Sequence, residues 1–527
     1  MVKNIFKSTM ILCAVALVAF SCSKDYLDTA PESSTSPSTI FESTENAQLA
    51  INGIAKMMTT QYLGTQGMNG EGTIQSWYGN FTGNDFQKCN QTGWASLWNS
   101  TYQERNTSSY DYYPWYYYYK LIGNANQIIV NLTDEDSVVE GTQQEKDFIV
   151  AQALTYRAYC FFRLTELYCY RWCDTNNGTS KDAGGIILRT DISTGDWPIC
   201  TPAEAYAQIY ADLDEAIKLY TSSGLDREAS HFYEPNLYVA YGVYARAALC
   251  REDWSTAASY ANKVRTSGKF KLMSDSEYFA GFNAQNDEWM FGVYEAADQT
   301  IYYYSFYAYQ GSNASSSNCR SYPCAISKEL YDQIPEPDSR RGLWIAPTDE
   351  ELKELNAAGR STGKLYKRAF SEFGSYLYST SLVYAYMQVK QRAEFMPGGG
   401  SFPIMRLAEM YLIEAEADCH LGKDAEAQKL LATLNANHNP GYATSKTGSD
   451  LLTEVKLYRR IELWGEGFDW FDHKRWNEPI VRKTFAQGGS WHSSYAITLN
   501  VGDANRWTWV IPARETDYNK LAKLTED

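Results

Sequence analysis

Apolar residues recur with a 3.6-residue period through much of this chain, so amphipathic helices packed on one another must supply most of its core. Phe148–Tyr170 places Ala151, Leu154, Ala158, Phe161 and Tyr168 on one stripe, with Arg157 and Arg163 off it. Thr201-Pro202-Ala203-Glu204 is a capping box with proline at the first helical position, and it opens a helix predicted to run to Leu219. Pro235–Cys250 and Trp254–Thr266 form a helical pair, and Phe402–Leu421 and Asp424–Asn435 form another. Leu451–Gly467 reads as one further helix.

The turns of the two pairs are alike. ALCREDWSTAASYA (Ala248–Ala261) and DCHLGKDAEAQKLL (Asp418–Leu431) each join a small-residue helix, through a short polar turn, to an alanine-rich helix. Both have the look of tetratricopeptide hairpins without a fixed repeat length. The fold class expected is mainly α, a degenerate tetratricopeptide-like helical-repeat scaffold. It carries long irregular insertions of loops and short strands, at Met68–Tyr113, Gly268–Pro323 and Pro335–Gly400. Long irregular insertions on a rigid scaffold usually carry function.

The N-terminus has Lys3 and Lys7 before an apolar run, Met10–Phe20, that ends at Ala19-Phe20-Ser21-Cys22. The run falls short of the ~20 residues that span a bilayer and fits a signal peptide. Its end resembles a bacterial lipoprotein box, with residues 1–21 removed and Cys22 lipidated. A Ser/Thr/Pro-rich spacer follows, so 22–40 is expected to be a tether. Formal charge is −16, from 47 basic and 63 acidic residues, which disfavours nucleic acid as a partner and leaves the lipid anchor as the expected membrane attachment. Of 11 cysteines, Cys13 leaves with the leader and Cys22 is acylated, so an odd number remains and no disulfide framework is expected. A single Cys319–Cys324 pair stays open. Five scattered histidines give no metal motif, so no metal or cofactor is expected.

Taken in order, these segments resemble the SusD-like (SusD/RagB) family of outer-membrane nutrient-binding lipoproteins of Bacteroidetes. Cys22–Asp28 with Pro31 matches the family's usual start, and Ala151–Tyr168 is similar to its AEAxFLRAxxYFxLxxxYG helix. Pro235–Val264 and Phe402–Gly422 match its repeat segments. YRRIELWGEGFDWFDHKRW (Tyr458–Trp476) resembles its ERRxELxxEGxRxxDLxRW signature, and WVIPARETDYN (Trp509–Asn519) its closing IPxxExxxN. Asp469 and Cys169 depart from the pattern, where arginine and glycine are common. Arg459, Arg460, Glu462, Glu466, Asp472 and Arg475 read as a partly buried ion-pair network rather than acid–base machinery. The resemblance implies one SusD-like domain over 41–527, with an N-terminal part to about 230 and a C-terminal part from about 231. It also implies no catalysis, a surface-facing outer-membrane location, and a SusC-like TonB-dependent transporter as partner.

The chain has 42 Tyr, 15 Trp and 21 Phe, more flat side chain than its core needs. Sugar rings offer apolar C–H faces to such rings and hydroxyl edges to Asn, Asp, Gln and Arg. Trp77, Tyr78, Trp94 and Trp98 lie in the first insertion beside Asn84 and Asp85. The resemblance carries Trp94 and Trp98 over as ligand contacts, although Trp98 is equally read as packing on the scaffold. Tyr302, Tyr303, Tyr304, Tyr307 and Tyr309 form a second patch, with Tyr302–Tyr309 alternatively a strand that keeps alternate rings in the core, and Tyr322 follows Arg320 near a further family aromatic. In the run Tyr112–Tyr119, Trp115, Tyr119, Ile122 and Asn126 sit at helical spacing and are expected to be buried, with Tyr116 and Tyr117 in reserve as outward rings.

The function expected is capture of oligo- or polysaccharide for delivery to the transporter. Alternatives are a surface glycoside hydrolase, which needs two carboxylates ~5–10 Å apart, a peptide-binding member of the same family, and a scaffold that binds only proteins. No GxSxG, P-loop, HExxH or GxGxxG motif favours an enzyme.

Overall fold

The computed structural model describes residues 40–61, 67–180, 184–297, 304–502 and 507–522. The leader, Cys22, most of the tether, Tyr302 and Tyr303 lie outside the described residues. The long helices are α1 Thr44–Met57, α2 Ser109–Thr133, α3 Gln143–Tyr168, α4 Pro202–Ser223, α5 Leu237–Cys250 and α6 Trp254–Arg265. They continue as α7 Leu407–His420, α8 Asp424–Asn435, α9 Gly448–Glu462 and α10 Asp469–Trp476. Neighbours stack in sequence: α3 packs on α2 and α4, α6 on α5 and α7, and α7 on α8 and α9. Among the described residues no helix is long and apolar enough to cross a membrane.

The capping box at Thr201 and Glu204 forms, and a second one, Thr142 with Glu145, starts α3. The two hairpin turns are equivalent in geometry. Glu252 and Gly422 both take the left-handed conformation, at φ 61° and 71°. In each turn the next amide reaches back five residues, Asp253 N–H to the Ala248 carbonyl (2.9 Å) and Lys423 N–H to the Asp418 carbonyl (2.8 Å).

Two sequence expectations change. Phe402–Leu421 is not all helix, because Phe402–Arg406 is a fully buried strand paired antiparallel with Trp289–Val293. Its continuous apolar run suits a strand covered on both faces. The helix expected over Leu451–Gly467 stops at Glu462, and the chain turns through Gly465 and Gly467, both at positive φ. A small sheet joins the insertions: Phe86–Lys88 pairs with Cys324–Ile326, which pairs with Met387–Gln388, which pairs with Trp344–Ile345. All described cysteines are free, and Cys319 and Cys324 instead donate to the carbonyls of Ala308 (3.1 Å) and Tyr309 (3.6 Å).

The ion-pair cluster of the signature segment is buried. The Arg406 guanidinium contacts Glu288, Glu462 and Glu466, each at 2.7 Å. Arg340 takes the other oxygen of Glu462 (2.6 Å), and Lys390 reaches Glu466 (2.7 Å). Nearby, Arg475 bridges Glu416 and Asp472, and Arg459 also holds Asp472. Burial pushes the Glu462 and Glu416 carboxyls up, but the neighbouring guanidinium groups outweigh it, holding Glu462 well below the usual range and Glu416 at about 2. Carboxylates held low in the folded state stabilise it above their unfolded range and lose that contribution as pH falls towards their folded values.

Glu462→Gln removes one buried charge and leaves Arg406 and Arg340 under-compensated. The expected cost at pH 7 is about 3–5 kcal/mol in guanidinium unfolding, shrinking as pH is lowered through the acid range.

Candidate functional site

Residues 70–80 are buried throughout, in a short helix Gly70–Thr73 that continues as a π-helical segment Ile74–Asn80. Burial on every side explains why this stretch shows no amphipathic period and reads as irregular. Three tyrosines hold its start, since Tyr117, Tyr118 and Tyr159 all donate to the Glu71 carboxylate, Tyr159 at 2.7 Å. Tyr117 is therefore an inward ring, contrary to expectation, while Trp115, Ile122 and Asn126 are buried as expected and Tyr116 stays half-exposed.

The far end of the segment docks backbone to backbone on the signature turn. A Cβ on Gly79 would stand 2.1 Å from the Gly467 carbonyl oxygen, and one on Gly467 would stand 2.9 Å from Gln75. Asn80 locks the contact, accepting from Gly467 N–H (2.8 Å) and donating to the Gly465 carbonyl (2.9 Å). Gln310 donates to that same carbonyl (2.9 Å).

This docking fixes Trp77. The indole is buried and forms a base with the buried ring of Tyr309 (5.6 Å). Half-exposed rings surround the base. Trp94 lies 5.5 Å from Trp77 and 5.7 Å from Tyr309, Tyr110 lies 5.5 Å from Trp77, and Tyr304 lies 6.3 Å from Tyr309. Tyr102 stacks on Tyr110 at 5.0 Å, with the Arg105 guanidinium 5.0 Å from its ring. Gly67, at φ +94°, lets the main chain approach, because a Cβ there would stand 2.6 Å from both Trp77 and the Tyr309 hydroxyl. The Trp77 N–H and Tyr309 hydroxyl are buried and have no hydrogen-bond partner among the described residues.

Two anchors hold the loops behind the rim. The Asn69 amide donates to the Tyr304 carbonyl (2.6 Å). Lys88, fully buried in strand Phe86–Lys88, gives its ammonium to the carbonyls of Tyr309 (2.5 Å), Asn318 (2.6 Å) and Tyr322 (2.8 Å). One charge thus ties the loop bearing Tyr304 and Tyr309 to the loop bearing Tyr322. In the described part of the run expected as a possible strand, Phe306–Gln310 is a helical turn, which buries Tyr307 and Tyr309.

Of the sequence-predicted residues, the structure brings Trp94 and Tyr304 together over the Trp77 base, and leaves Tyr322 half-buried on the same anchor. Four others are inward. Trp77 serves beneath the rim. Tyr78 packs on Trp509 (5.1 Å) and donates to the Tyr110 carbonyl (2.6 Å). Trp98 is core, stacked on Phe81 at 4.3 Å and 14° and close to Tyr495 (5.2 Å). Asp85 is clamped by Arg460 (2.7 and 2.8 Å), which holds its carboxyl below the usual range against the opposing effect of burial. Asn84 accepts from Val481 N–H (2.8 Å) and is half-buried. Asp469, where the resembled family favours arginine, accepts the Asp85 amide (2.6 Å). Asp85, Asp469 and His473 are the group of metal-ligand types found together among the described residues. A cation does not suit them, because Arg460 already occupies both Asp85 oxygens. Sequence reasoning missed Tyr102, Tyr110 and Arg105, whose rim position depends on the α2 N-terminus folding back over Trp77.

Asp111, beside Tyr110, is buried with neither oxygen hydrogen-bonded among the described residues, and burial pushes it up to about 9. It is protonated at neutral pH.

The structure is thus a scaffold of stacked helical hairpins that presents a loop-borne aromatic rim. The family model for the SusD family matches residues 254–521, just over half of the chain, and a second, described as "Starch-binding associating with outer membrane", matches 25–249. The chain belongs to the SusD family. It is similar to a SusD-like carbohydrate binding protein from Bacteroides vulgatus ATCC 8482, at 22% identity and TM-score 0.74, covering 92% of this chain and 98% of that one. It is also similar to a SusD superfamily protein from Bacteroides thetaiotaomicron VPI-5482, at 20% identity and TM-score 0.70, covering 91% and 99%. These likenesses show the fold. No curated protein matches.

Lys88→Met is expected to weaken any ligand held by the rim at least tenfold in equilibrium titration, with Lys88→Arg recovering part of the affinity. Asp111→Asn is expected to raise the unfolding temperature at pH 8 and leave it unchanged at pH 3. The penalty of a raised carboxyl is absent below the unfolded value and grows as pH climbs towards the folded one.

Proposed function

We propose that this protein is a non-catalytic glycan-binding lipoprotein of the outer membrane. It captures oligo- or polysaccharide at the cell surface and passes it to a partner SusC-like TonB-dependent transporter. The observation that carries the reading is the half-exposed rim of Trp94, Tyr102, Tyr110 and Tyr304 over the Trp77–Tyr309 base. Rings set at several angles around a fixed base suit successive sugar faces, each contact modest and the sum useful. Arg105, exposed beside Tyr102, supplies a polar partner for hydroxyl edges. The description "Starch-binding associating with outer membrane" and the carbohydrate-binding relative from Bacteroides vulgatus support the ligand class and the location. The Cys22 box and the spacer after it support the lipid anchor.

Three acids near the rim in the chain are occupied elsewhere, Glu71 by three tyrosines, Asp85 by Arg460, and Asp111 in a buried position, while Glu104 is exposed beside Tyr102. The division into parts meeting near residue 230 remains part of the proposal.

The test is retardation of the soluble chain, Ser23–Asp527, in native gels containing plant, host and microbial polysaccharides. One glycan class is expected to retard it. Trp94→Ala and Tyr304→Ala each should weaken binding about tenfold, or about 1.4 kcal/mol, at unchanged unfolding temperature. Trp98→Ala should instead cost about 3–5 kcal/mol of stability. No retardation by any glycan, with binding of peptides, would replace the ligand class.

A further inference from the structure

The segment between α4 and α5 builds a second cleft, of about 430 Å³, that shares no residue with the rim. Tyr238 and Phe270 form an aromatic corner, with ring centroids 5.8 Å apart and planes at 83°, and Trp289 closes the floor. Asp226, Lys269 and Gln285 supply polar groups at the edge.

The cleft is held in shape by the fold. Arg227 donates to the carbonyls of Phe232, Glu234 and Met290, pinning its segment on strand Trp289–Val293. The Asn236 side chain works twice. Its oxygen caps α5 at Val239 N–H (3.1 Å), and its amide fixes one Asp226 oxygen (2.9 Å). The other Asp226 oxygen stands 3.7 Å from the Lys269 ammonium, and both side chains are about half-exposed.

These groups select a ligand by chemistry. Two aromatic faces at a right angle cover apolar surface on two sides, and the volume falls within the usual range for small-molecule sites. A carboxylate accepts from one hydroxyl, and the ammonium beside it donates to the neighbouring hydroxyl. An apolar ligand would strip water from Asp226, Lys269 and Gln285 without replacing it. Asp226 and Asp287 balance Arg227 and Lys269, so the lining favours no net ligand charge. A ring with C–H faces and vicinal hydroxyls satisfies all of these conditions. We infer that this cleft is a second saccharide site, taking a neutral pyranose unit.

The inference goes beyond the rim reading and can fail separately from it. Saturation-transfer NMR of the Trp94→Ala chain, its rim weakened about tenfold, with methyl pyranosides of glucose, galactose, mannose, xylose and N-acetylglucosamine reads the cleft against a reduced rim signal. At least one sugar is expected to receive saturation. The signal should fall in Trp94→Ala/Phe270→Ala and in the shape-preserving Trp94→Ala/Asp226→Asn, and persist in Trp94→Ala/Phe270→Trp. No transfer to any of the five sugars, or transfer left unchanged by both removals, overturns the second site. Polysaccharide retention by the Phe270→Ala chain reports on the rim alone.

Discussion

The Arg406 guanidinium is the contact on which most of the architecture rests. It lies at the junction of strand Phe402–Arg406 with α7 and meets Glu288, Glu462 and Glu466, so it joins three stretches of chain far apart in sequence. It also donates to the Glu462 carbonyl at the end of α9 (2.8 Å), and Lys390 takes the carbonyls of Glu462 and Trp464 (both 2.9 Å). Five charged side chains, none more than 5% exposed, are expensive to bury unless every partner is in place. Here they are, and the turn after α9 is held to one shape.

That turn sets the binding face. Gly465 and Gly467 can adopt it only because they lack side chains at positive φ, and Gly79 meets Gly467 at a distance that any Cβ would forbid. Trp77 sits on the segment so clamped, and Trp94, Tyr110 and Tyr309 pack around it. Order thus passes from buried charge to backbone docking to the ring at the base of the rim. Lys88 and Asn69 extend it to the loops carrying Tyr304, Tyr309 and Tyr322. The rim rings are flat and pre-placed, so little side-chain entropy is lost when a ligand arrives.

The helical scaffold was legible because helix periodicity and capping are local. Thr201 with Glu204, the matched turns at Glu252 and Gly422, and the charged signature segment all behave as their residues require. The face was less legible because its order comes from contacts between distant residues. Asp85 looks like a sugar-edge carboxylate until Arg460, far along the chain, is seen to clamp it. Trp98 and Tyr78 look like ligand rings until Phe81, Tyr495 and Trp509 cover them. Tyr102 and Tyr110 lie in the insertion Met68–Tyr113, but nothing local to either residue says that its ring reaches the surface. The strand Phe402–Arg406 was hidden for a different reason, a continuous apolar run that has no period to read.

The most direct measurement is hydroxyl-radical footprinting of the full soluble chain with and without the polysaccharide that retards it. Protection of Trp94, Tyr102, Tyr110 and Tyr304, with the exposed Tyr518 unchanged, is the expected result. Protection that spares all four rim rings while the glycan stays bound would contradict a binding face built on Trp77.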